Sequence, residues 1–547
     1  MVSGSVFDAR VIQANEYCTG GGLIHVGRLQ KGVAAGVLRE TYTSIQLSFL
    51  VIRSSQREVT MIDVILVFVI VLSAMYWWTS QRKKGFPPEP GLSLPLIGHI
   101  HLIETDPTNQ FIQWRKRLGD VFLVRYGYKQ VVFINGYEAI HEALVKKHAI
   151  FMNRSDGFIH EVLFNARGVV SLPGGEWREQ RMFLQLALKK LGMGRNVMAE
   201  RIHAEIGHLL HEIDQSKGQP LDLRKLFTAS VCNVICYITL GRRYDYDDKL
   251  FDQMIQLTLR QFEIGSPSSP LHFFYKIIRN LPWDFFYYRE FMQIIKTMKA
   301  HFIRLIQETV SDSRNDGHSV VHMFTAEMKK RKESGSSSTF QDDNLLYNCW
   351  NFFNAGTETS STTLHYGVLF LVNFPEIQEK LFEEIKEHVG TDHLPPWSSR
   401  KNLVLLNAFI YETQRLSSII PLSLERMTAS DSTIKGCFIP KGTVVIPVLD
   451  SLLWDEEVWG DPMNFRPERF LENGKLTVKK EFLPFSDGSR RCLGEPLAAM
   501  ELFLFMAALI QRYKFVPEES GKMPAMGGRY GFSRTPHPFK VRALLRE

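Results

Sequence analysis

The chain has 547 residues, of which 45% are hydrophobic and 22% are charged, and its formal net charge is +7. This is an ordinary globular balance, sufficient for one large domain or several smaller ones. Because Lys and Arg are scattered without a long basic block, nucleic-acid binding is not indicated. Six cysteines show neither a disulfide framework nor a zinc spacing, which is typical of a reducing compartment.

The first 60 residues mix polar and apolar character without clear periodicity. We expect 1–60 to form a poorly ordered extension, or translation to begin at Met61. The apolar run Met61–Trp78 ends in two tryptophans and is followed closely by three bases, Arg82–Lys84. This order predicts a transmembrane anchor over 61–80 whose C-terminal side is cytosolic. A cleaved signal peptide is the less favoured alternative, because bulky aromatic and basic residues follow the apolar run.

Residues 81–95 combine these bases with closely spaced prolines and predict a stiff hinge. Helical periods dominate 96–547, with short strand-like runs such as Val121–Tyr126 and Gln130–Ile134. Turn residues around β-branched runs predict one small sheet over 421–443. We therefore expect one catalytic domain that is mainly α with small peripheral β-sheets, an α+β arrangement behind an N-terminal membrane-anchor helix.

An aromatic-rich stretch, Leu271–Tyr288, has two interpretations. Its Phe, Tyr and Trp residues are compatible with core packing of two helices around Pro282. They are equally compatible with a second contact to the membrane surface. The sequence leaves both open.

The long apolar helical run Leu345–Val372 contains the string Ala-Gly-Thr-Glu-Thr at 355–359. A threonine hydroxyl in a helix can bond back to the carbonyl four residues earlier, here from Thr359 to Ala355, and loosen the helical ladder. Gly356 removes side-chain bulk at the same point. The string thus predicts an opened groove in which Glu358 offers an acid and Thr359 a hydroxyl for proton transfer.

The most informative stretch is a glycine-punctuated loop before a helical run that begins near Glu495. Its pattern, Phe-x-x-Gly-x-Arg-x-Cys-x-Gly, is filled by Phe485, Gly488, Arg490, Cys492 and Gly494. Since Cys492 lies just before a helix N-terminus, the dipole and the free N–H groups are expected to favour its thiolate over its thiol. A thiolate in this position is a good axial ligand for haem iron.

This pattern resembles the haem-binding loop of the cytochromes P450, and the motifs over roughly Phe86–Arg546 keep that family's order. The resemblance is greatest to animal microsomal members that oxidise drugs and steroids. It implies the cytochrome P450 fold, haem b with Cys492 as axial ligand, and insertion of one atom of dioxygen into an apolar substrate, whether sterol, fatty acid or xenobiotic. It also implies electrons from NADPH through the P450 reductase, with cytochrome b5 as a further candidate donor. The implied location is the endoplasmic reticulum membrane, with a single span and a cytosolic catalytic domain.

The resemblance also implies roles for individual residues. Glu358 and Thr359 would be the catalytic pair for proton delivery. The haem propionates would be held by Arg154, Trp177, Arg181, Arg426 and Arg490, while Phe485 and Gly494 would flank the iron ligand. Away from the haem, Glu412, Arg415 and Arg469 would form a buried cluster that maintains the fold, and Phe532 would line the substrate pocket.

Two other functions remain open at this point. A haem-thiolate isomerase or dehydratase would use the same cysteine without a reductase, although the pair Glu358–Thr359 argues against it. A non-enzymatic haem or lipid binder would show no NADPH-dependent turnover.

Overall fold

The computed structural model describes residues 60–80, 85–127, 129–266, 269–312, 318–335 and 339–546. The chain divides into two units, 1–81 and 82–547. The predicted extension, 1–60, therefore lies outside the described residues except for Thr60. The basic part of the hinge, 81–84, also lies outside them.

In the first unit, helix α1, Met61–Ser80, is continuous and exposes its large apolar side chains from Met61 to Leu72. Across the described ranges, one helix, Leu223–Leu240, has both the length and the hydropathy of a membrane span, and it is 78% buried inside the second unit. That helix is therefore a core element, while Met61–Ala74 is a shorter apolar stretch. The anchor over 61–80 stays a prediction.

The second unit is mainly helical, as predicted. Its α-helices are α2 Thr108–Leu118, α3 Gly136–His141, α4 Gly168–Ser171, α5 Gly174–Lys190, α6 Asn196–Asp214, α7 Leu223–Leu240, α8 Lys249–Ile264, α9 Leu271–Ile278, α10 Tyr288–Ser311, α11 Val320–Glu333, α12 Asp342–Asn373, α13 Pro375–His388, α14 Val404–Ser417, α15 Asp450–Leu453, α16 Glu456–Trp459 and α17 Glu495–Arg512.

Within the described residues the strands are short and form five separate sheets. They are β1 Val121–Tyr126, β2 Lys129–Ile134, β3 Arg426–Met427, β4 Ser432–Ile434, β5 Cys437–Ile439, β6 Val444–Pro447, β7 Leu471–Glu472, β8 Lys475–Leu476, β9 Tyr513–Pro517, β10 Gly528–Arg529, β11 Thr535–Pro536 and β12 Val541–Leu545. The largest sheet has four strands in the order β1-β2-β6-β3, and the other sheets are pairs.

The predicted hairpin β1–β2 is confirmed, with Val121 opposite Ile134 and Tyr126 opposite Lys129. The prediction of one small sheet over 421–443 was wrong, because its strands divide between two sheets. β3 pairs with β6 in the four-stranded sheet, whereas β4 and β5 form a separate hairpin. The strands divide in this way because β3 pairs with β6, which in turn pairs with β2 far away in the sequence. Local turn residues do not predict such pairings.

Helix α12 organises the interior. Acidic Asp342 and Asp343 occupy its first turn, where they complement the helix dipole, and Pro375 follows its end. Its N-terminal part, Leu345–Phe353, packs into one hydrophobic cluster, and its C-terminal part, Leu364–Val372, packs into another. The polar turns between these parts are thereby placed at the centre of the domain.

Helix α17 starts immediately after the cysteine loop. Glu495 and Pro496 stand in its first turn, and Arg512 stands in its last turn. Proline and an acidic residue both suit a helix start, while a base suits its end. Its apolar run, Leu502–Ile510, is buried, and this anchors the loop that precedes it.

Candidate active site

The cysteine loop is fixed by its own backbone. The N–H of Cys492 donates to the carbonyl of Phe485 at 3.1 Å, which folds the loop back on itself. Gly488 has φ +75°, and a Cβ there would lie 2.0 Å from the carbonyl oxygen of Leu144. Only glycine fits this position, since it combines a positive φ with direct backbone contact.

The thiol of Cys492 opens into a cavity of about 330 Å³ between its loop and helix α12. Phe485 and Gly494 line the cavity beside it, and Thr359 lines the wall formed by α12. The sulfur is accessible from the cavity although protein surrounds it. Cys492 and Thr359, which belong to motifs far apart in the sequence, therefore line the same cavity.

The prediction that Cys492 favours a thiolate was wrong for the protein alone. Burial raises the pKa of Cys492, and the carboxylate of Glu495 raises it further. The N–H groups of Gly494 and Glu495 and the cation of Arg181 lower this pKa, as expected at a helix start, but burial outweighs them. A bound metal cation would favour the thiolate here.

Three buried arginines near the cavity lack a carboxylate partner among the described residues. Arg154, Arg426 and Arg490 are each less than 9% exposed, and their described hydrogen bonds go to backbone carbonyls. Burial lowers the pKa of Arg426 to about 10, and burial with repulsion from Arg426 and Arg181 lowers the pKa of Arg490 to about 8. Three buried cations this close together favour the binding of an anion, because the carbonyl groups that accept their hydrogen bonds do not neutralise the charge.

Trp177 and Arg181 lie one turn apart on α5 at the same wall. The guanidinium of Arg490 lies 4.2 Å from the centre of the Trp177 ring, and that of Arg181 lies 5.6 Å from it. Arg181 also donates to the carbonyl of Arg491, next to the cysteine, at 2.7 Å. The predicted propionate-binding residues thus meet at one side of the cavity, and a planar dianionic group such as haem fits this set of donors.

The predicted back-bond in α12 is present: the hydroxyl of Thr359 donates to the carbonyl of Ala355 at 2.7 Å. Gly356 has a further role that its sequence context did not show. A Cβ at Gly356 would lie 2.4 Å from Cδ1 of Ile235, so the glycine also allows α7 to pack closely against α12.

Glu358 is buried but is not among the described residues that line the cavity. Its Oε1 accepts hydrogen bonds from Ser533 at 2.9 Å and from Thr362 at 3.3 Å, and Arg224 lies 3.9 Å away. Burial raises its pKa, against the lowering effect of Arg224. The carboxyl of Glu358 therefore lies outside the cavity wall that Thr359 forms, and its neighbour Arg224 is partly exposed to solvent.

Glu501 lines the cavity and was missed by sequence reasoning. Its carboxyl accepts a hydrogen bond from Ser360 at 2.7 Å, and burial raises its pKa to about 8. It is the only charged residue in the apolar run Leu497–Ile510. This isolated charge is the feature from which the sequence could have identified Glu501 as a candidate site residue.

The loop that joins β10 and β11 contributes to the wall of the cavity. β10 and β11 pair across it, and Phe532, which was predicted to line the pocket, does so. The ring of Phe532 packs against Phe262 of α8 with centroids 5.3 Å apart.

Comparison with known proteins agrees with this arrangement. The family model Cytochrome P450 matches residues 87–543. The chain is 33% identical to Cytochrome P450 2J1 of Oryctolagus cuniculus over 482 residues, covering 87% of this chain and 95% of that protein. It is 33% identical to Cytochrome P450 2J2 of Homo sapiens, covering 87% and 94%, and 34% identical to Cytochrome P450 2E1 of Rattus norvegicus, covering 88% and 98%. The chain therefore belongs to the cytochrome P450 family of haem-thiolate monooxygenases.

Proposed function

We propose that the cavity holds haem b with Cys492 as the axial ligand. This proposal rests on the residues that line the cavity. The thiol of Cys492 lies there beside buried guanidinium groups that have no carboxylate partner among the described residues. Arg154, Arg426 and Arg490, with Arg181 and Trp177, would bind the two propionates, while Phe485 and Gly494 flank the sulfur. When bound, the haem supplies the activation of dioxygen that inserts one oxygen atom into an apolar substrate.

The chain's own residues would supply protons to this reaction. Thr359 places a hydroxyl at the cavity wall, and its back-bond to Ala355 fixes the position of the oxygen atom. Glu358 precedes it, has its pKa raised by burial, and lies near Arg224 at the solvent side. We assign Glu358 to proton supply and Thr359 to proton delivery.

The proposed cycle draws electrons from NADPH through the P450 reductase, with cytochrome b5 as a further donor. The proposed substrates are apolar molecules such as sterols, fatty acids or xenobiotics. An isomerase or dehydratase is less well supported, because it would have no use for a hydroxyl at the cavity wall and a buried carboxyl behind it. A non-enzymatic binder would leave the same pair without a function.

We also propose that the protein is anchored in the endoplasmic reticulum membrane by 61–80, with 81–95 as hinge and 96–547 as the cytosolic catalytic domain. The aromatic-rich stretch supports a second membrane contact in its later half. Helix α9 buries Leu271 and Tyr275 in the core, whereas Trp283 is 70% exposed and Tyr287 56%. The core-packing interpretation therefore applies to the first half of Leu271–Tyr288, and we propose the membrane contact for its exposed second half.

The role of Thr359 predicts a specific defect in the variant Thr359→Ala. We expect haem and substrate binding to be retained but the product formed per NADPH consumed to fall several-fold, because without the hydroxyl proton delivery becomes disordered and reduced oxygen is released as peroxide. The measurement is product against NADPH consumed and peroxide released.

Thr363→Ala is the matched control for that variant. The hydroxyl of Thr363 makes the same back-bond, to Thr359 at 2.9 Å, but Thr363 does not line the cavity of Cys492. An unchanged coupling ratio in Thr359→Ala would remove that residue from the mechanism and favour the isomerase.

The electron donor is predicted to dock on the face of α5 that adjoins the cysteine loop. Arg178, Lys189 and Lys190 are exposed on α5, and no ion pair is found for them among the described residues. An acidic flavoprotein surface would be attracted to these charges, and salt would weaken the attraction. We expect Lys189→Glu combined with Lys190→Glu to slow NADPH-supported reduction several-fold at low ionic strength.

Turnover driven by added peroxide, which needs no donor, should change little in this double variant. Lys435→Glu with Lys441→Glu, on the hairpin β4–β5 and its following turn, removes the same charge at a site outside the cavity and serves as the control. Equal loss in both assays would indicate a damaged fold, and no loss in either would exclude this docking face.

A further inference from the structure

A buried histidine on helix α9 lies between two hydrogen-bond acceptors. His272 is 4% exposed. Its Nε2 lies 3.0 Å from the carbonyl oxygen of Gly265, and its Nδ1 lies 3.7 Å from Oε1 of Glu425. Because a carbonyl and a carboxylate only accept, the ring presents a proton to both of them only as the doubly protonated, cationic imidazolium.

Glu425 is held in this contact as a carboxylate. Its Oε2 accepts a hydrogen bond from the hydroxyl of Ser155. A Cβ at Gly157 would lie 2.8 Å from that Oε2 and 2.8 Å from Oγ of Ser155, so the glycine leaves room for the bond. Burial raises the pKa of Glu425, but the effects of His272 and Ser155 outweigh burial and hold this pKa at about 2. Within the described ranges no lysine or arginine forms an ion pair with this carboxylate, so His272 is its cation.

The contact joins three segments of the cavity wall, although His272 itself does not line the cavity. The lining residues of these segments are Gly265, Arg154 next to Ser155, and Leu424 and Arg426 on either side of Glu425. The guanidinium of Arg154 also donates to the backbone carbonyl of Glu425 at 2.9 Å. His272 therefore fixes α9 to the wall of the cavity.

Helix α9 also packs against the segment 158–164. The ring of Phe158 lies 6.1 Å from that of His272 and 5.6 Å from that of Tyr275, and the hydroxyl of Tyr275 donates to Glu161. Three residues of this segment line the cavity: Ile159, Leu163 and Phe164. At its other end, α9 leads to the exposed aromatic residues for which we propose a membrane contact. It thus connects that contact with the cavity wall.

We propose that the ion pair of His272 and Glu425 is a clasp that holds α9 against the cavity wall and opens to admit apolar substrates, which rests on the proposed function of the cavity. The pair is present while His272 is protonated and is lost when the ring gives up a proton. Histidine is the side chain whose charge changes between about pH 5 and 8. The clasp therefore loosens as the pH rises, and ligand entry and release should both become faster.

Other ionisable groups near the pair behave differently. Burial, with the cations of Arg490 and His272, lowers the pKa of His160 to about 4 against the effect of Glu425, so His160 is neutral at neutral pH. Burial and repulsion from Glu425 raise the pKa of Tyr126 on β1. The other charged groups near the pair are Arg154, Arg490, Lys129 with Asp156, and Lys276 with Glu161. Arg490 has a pKa lowered to about 8 and is unchanged in the variants of the pair.

The test uses the purified full-length haem protein and two readouts. The first is hydrogen exchange of the α9 amides, 271–278. The second is the pair of rates at which 2-dodecanone binds and dissociates, followed by the haem absorption spectrum. His272→Gln keeps a donor for Gly265, and Glu425→Gln keeps an acceptor for Ser155, but each removes one charge.

Each variant should exchange its α9 amides several-fold faster than the wild type at about pH 6.5, where His272 is expected to carry its charge. Both ligand rates should rise by a similar factor, with little change in equilibrium affinity, because the clasp opens whether or not ligand is bound. The double variant should match the single variants, since both changes break the same pair. In the wild type the two ligand rates should rise with pH, and in His272→Gln they should not.

His203→Gln is the matched control. Nε2 of His203 lies 3.0 Å from the carbonyl oxygen of Pro395, but no ion pair is found for His203 among the described residues and it does not line the cavity. Its exchange and its ligand rates should equal those of the wild type. Unchanged α9 exchange in both variants of the pair, lower affinity without faster rates, or a pH dependence that persists in His272→Gln would overturn the inference. Absence of the thiolate spectrum in the wild type would instead overturn the proposed function, and the exchange of α9 does not depend on that spectrum.

Discussion

We expect Cys492→Ser to abolish NADPH-supported turnover and to remove the red-shifted band of the reduced carbon-monoxide complex. The serine oxygen does not replace the polarizable thiolate that favours O–O cleavage. The loop should persist, because the N–H of residue 492 still donates to Phe485 and Gly488 still fits against Leu144. The measurement is the reduced carbon-monoxide difference spectrum, recorded together with haem content.

Cys437→Ser is the control for this variant, since Cys437 is also partly accessible but lies on strand β5 outside the cavity. Its spectrum should match that of the wild type. If Cys492→Ser kept the red-shifted band, another group would have to ligate the iron and the assignment of Cys492 would be wrong.

The second large effect is expected at the buried cluster of Glu412, Arg415 and Arg469. Arg415 donates to both carboxylate oxygens of Glu412, at 2.7 and 2.8 Å, and Arg469 donates to one of them at 3.0 Å. The side chains of Glu412 and Arg415 are 0% exposed. Arg415→Met would leave the carboxylate short of its main partner, and breaking such a buried pair typically costs about 3–5 kcal/mol.

We expect Arg415→Met to lower the yield and the melting temperature of the haem-loaded protein. Arg304→Met is the matched control, because Arg304 pairs with Glu308 at the surface and is 68% exposed. That substitution should change the free energy of unfolding by less than about 1 kcal/mol. Similar melting temperatures for the two variants would show that the buried cluster does not stabilise the fold.

The long central helix, the first hairpin and the cysteine loop could be predicted from the sequence because each depends on local pattern. Gly488 and the back-bond of Thr359 to Ala355 are local features of this kind. The positive φ of Gly488 suits a glycine and the back-bond suits a helical threonine, whereas the contact of Gly488 with Leu144 is not a local feature.

Other features depended on contacts between distant segments. The pKa of Cys492 is set by burial, which sequence position does not show, and the helix N-terminus proved the weaker effect. Glu358 and Thr359 are adjacent in the sequence, yet only Thr359 lines the cavity.

We propose that this cavity inserts one atom of dioxygen into an apolar substrate, and labelling with ¹⁸O₂ distinguishes dioxygen from water as the source of that atom. The wild-type protein would be incubated with reductase, NADPH and 2-dodecanone, and the products analysed by mass spectrometry. We predict one labelled oxygen atom per hydroxylated product, and no such product from Cys492→Ser. Hydroxylated product that takes its new oxygen from water, or that still forms in Cys492→Ser, would contradict the account.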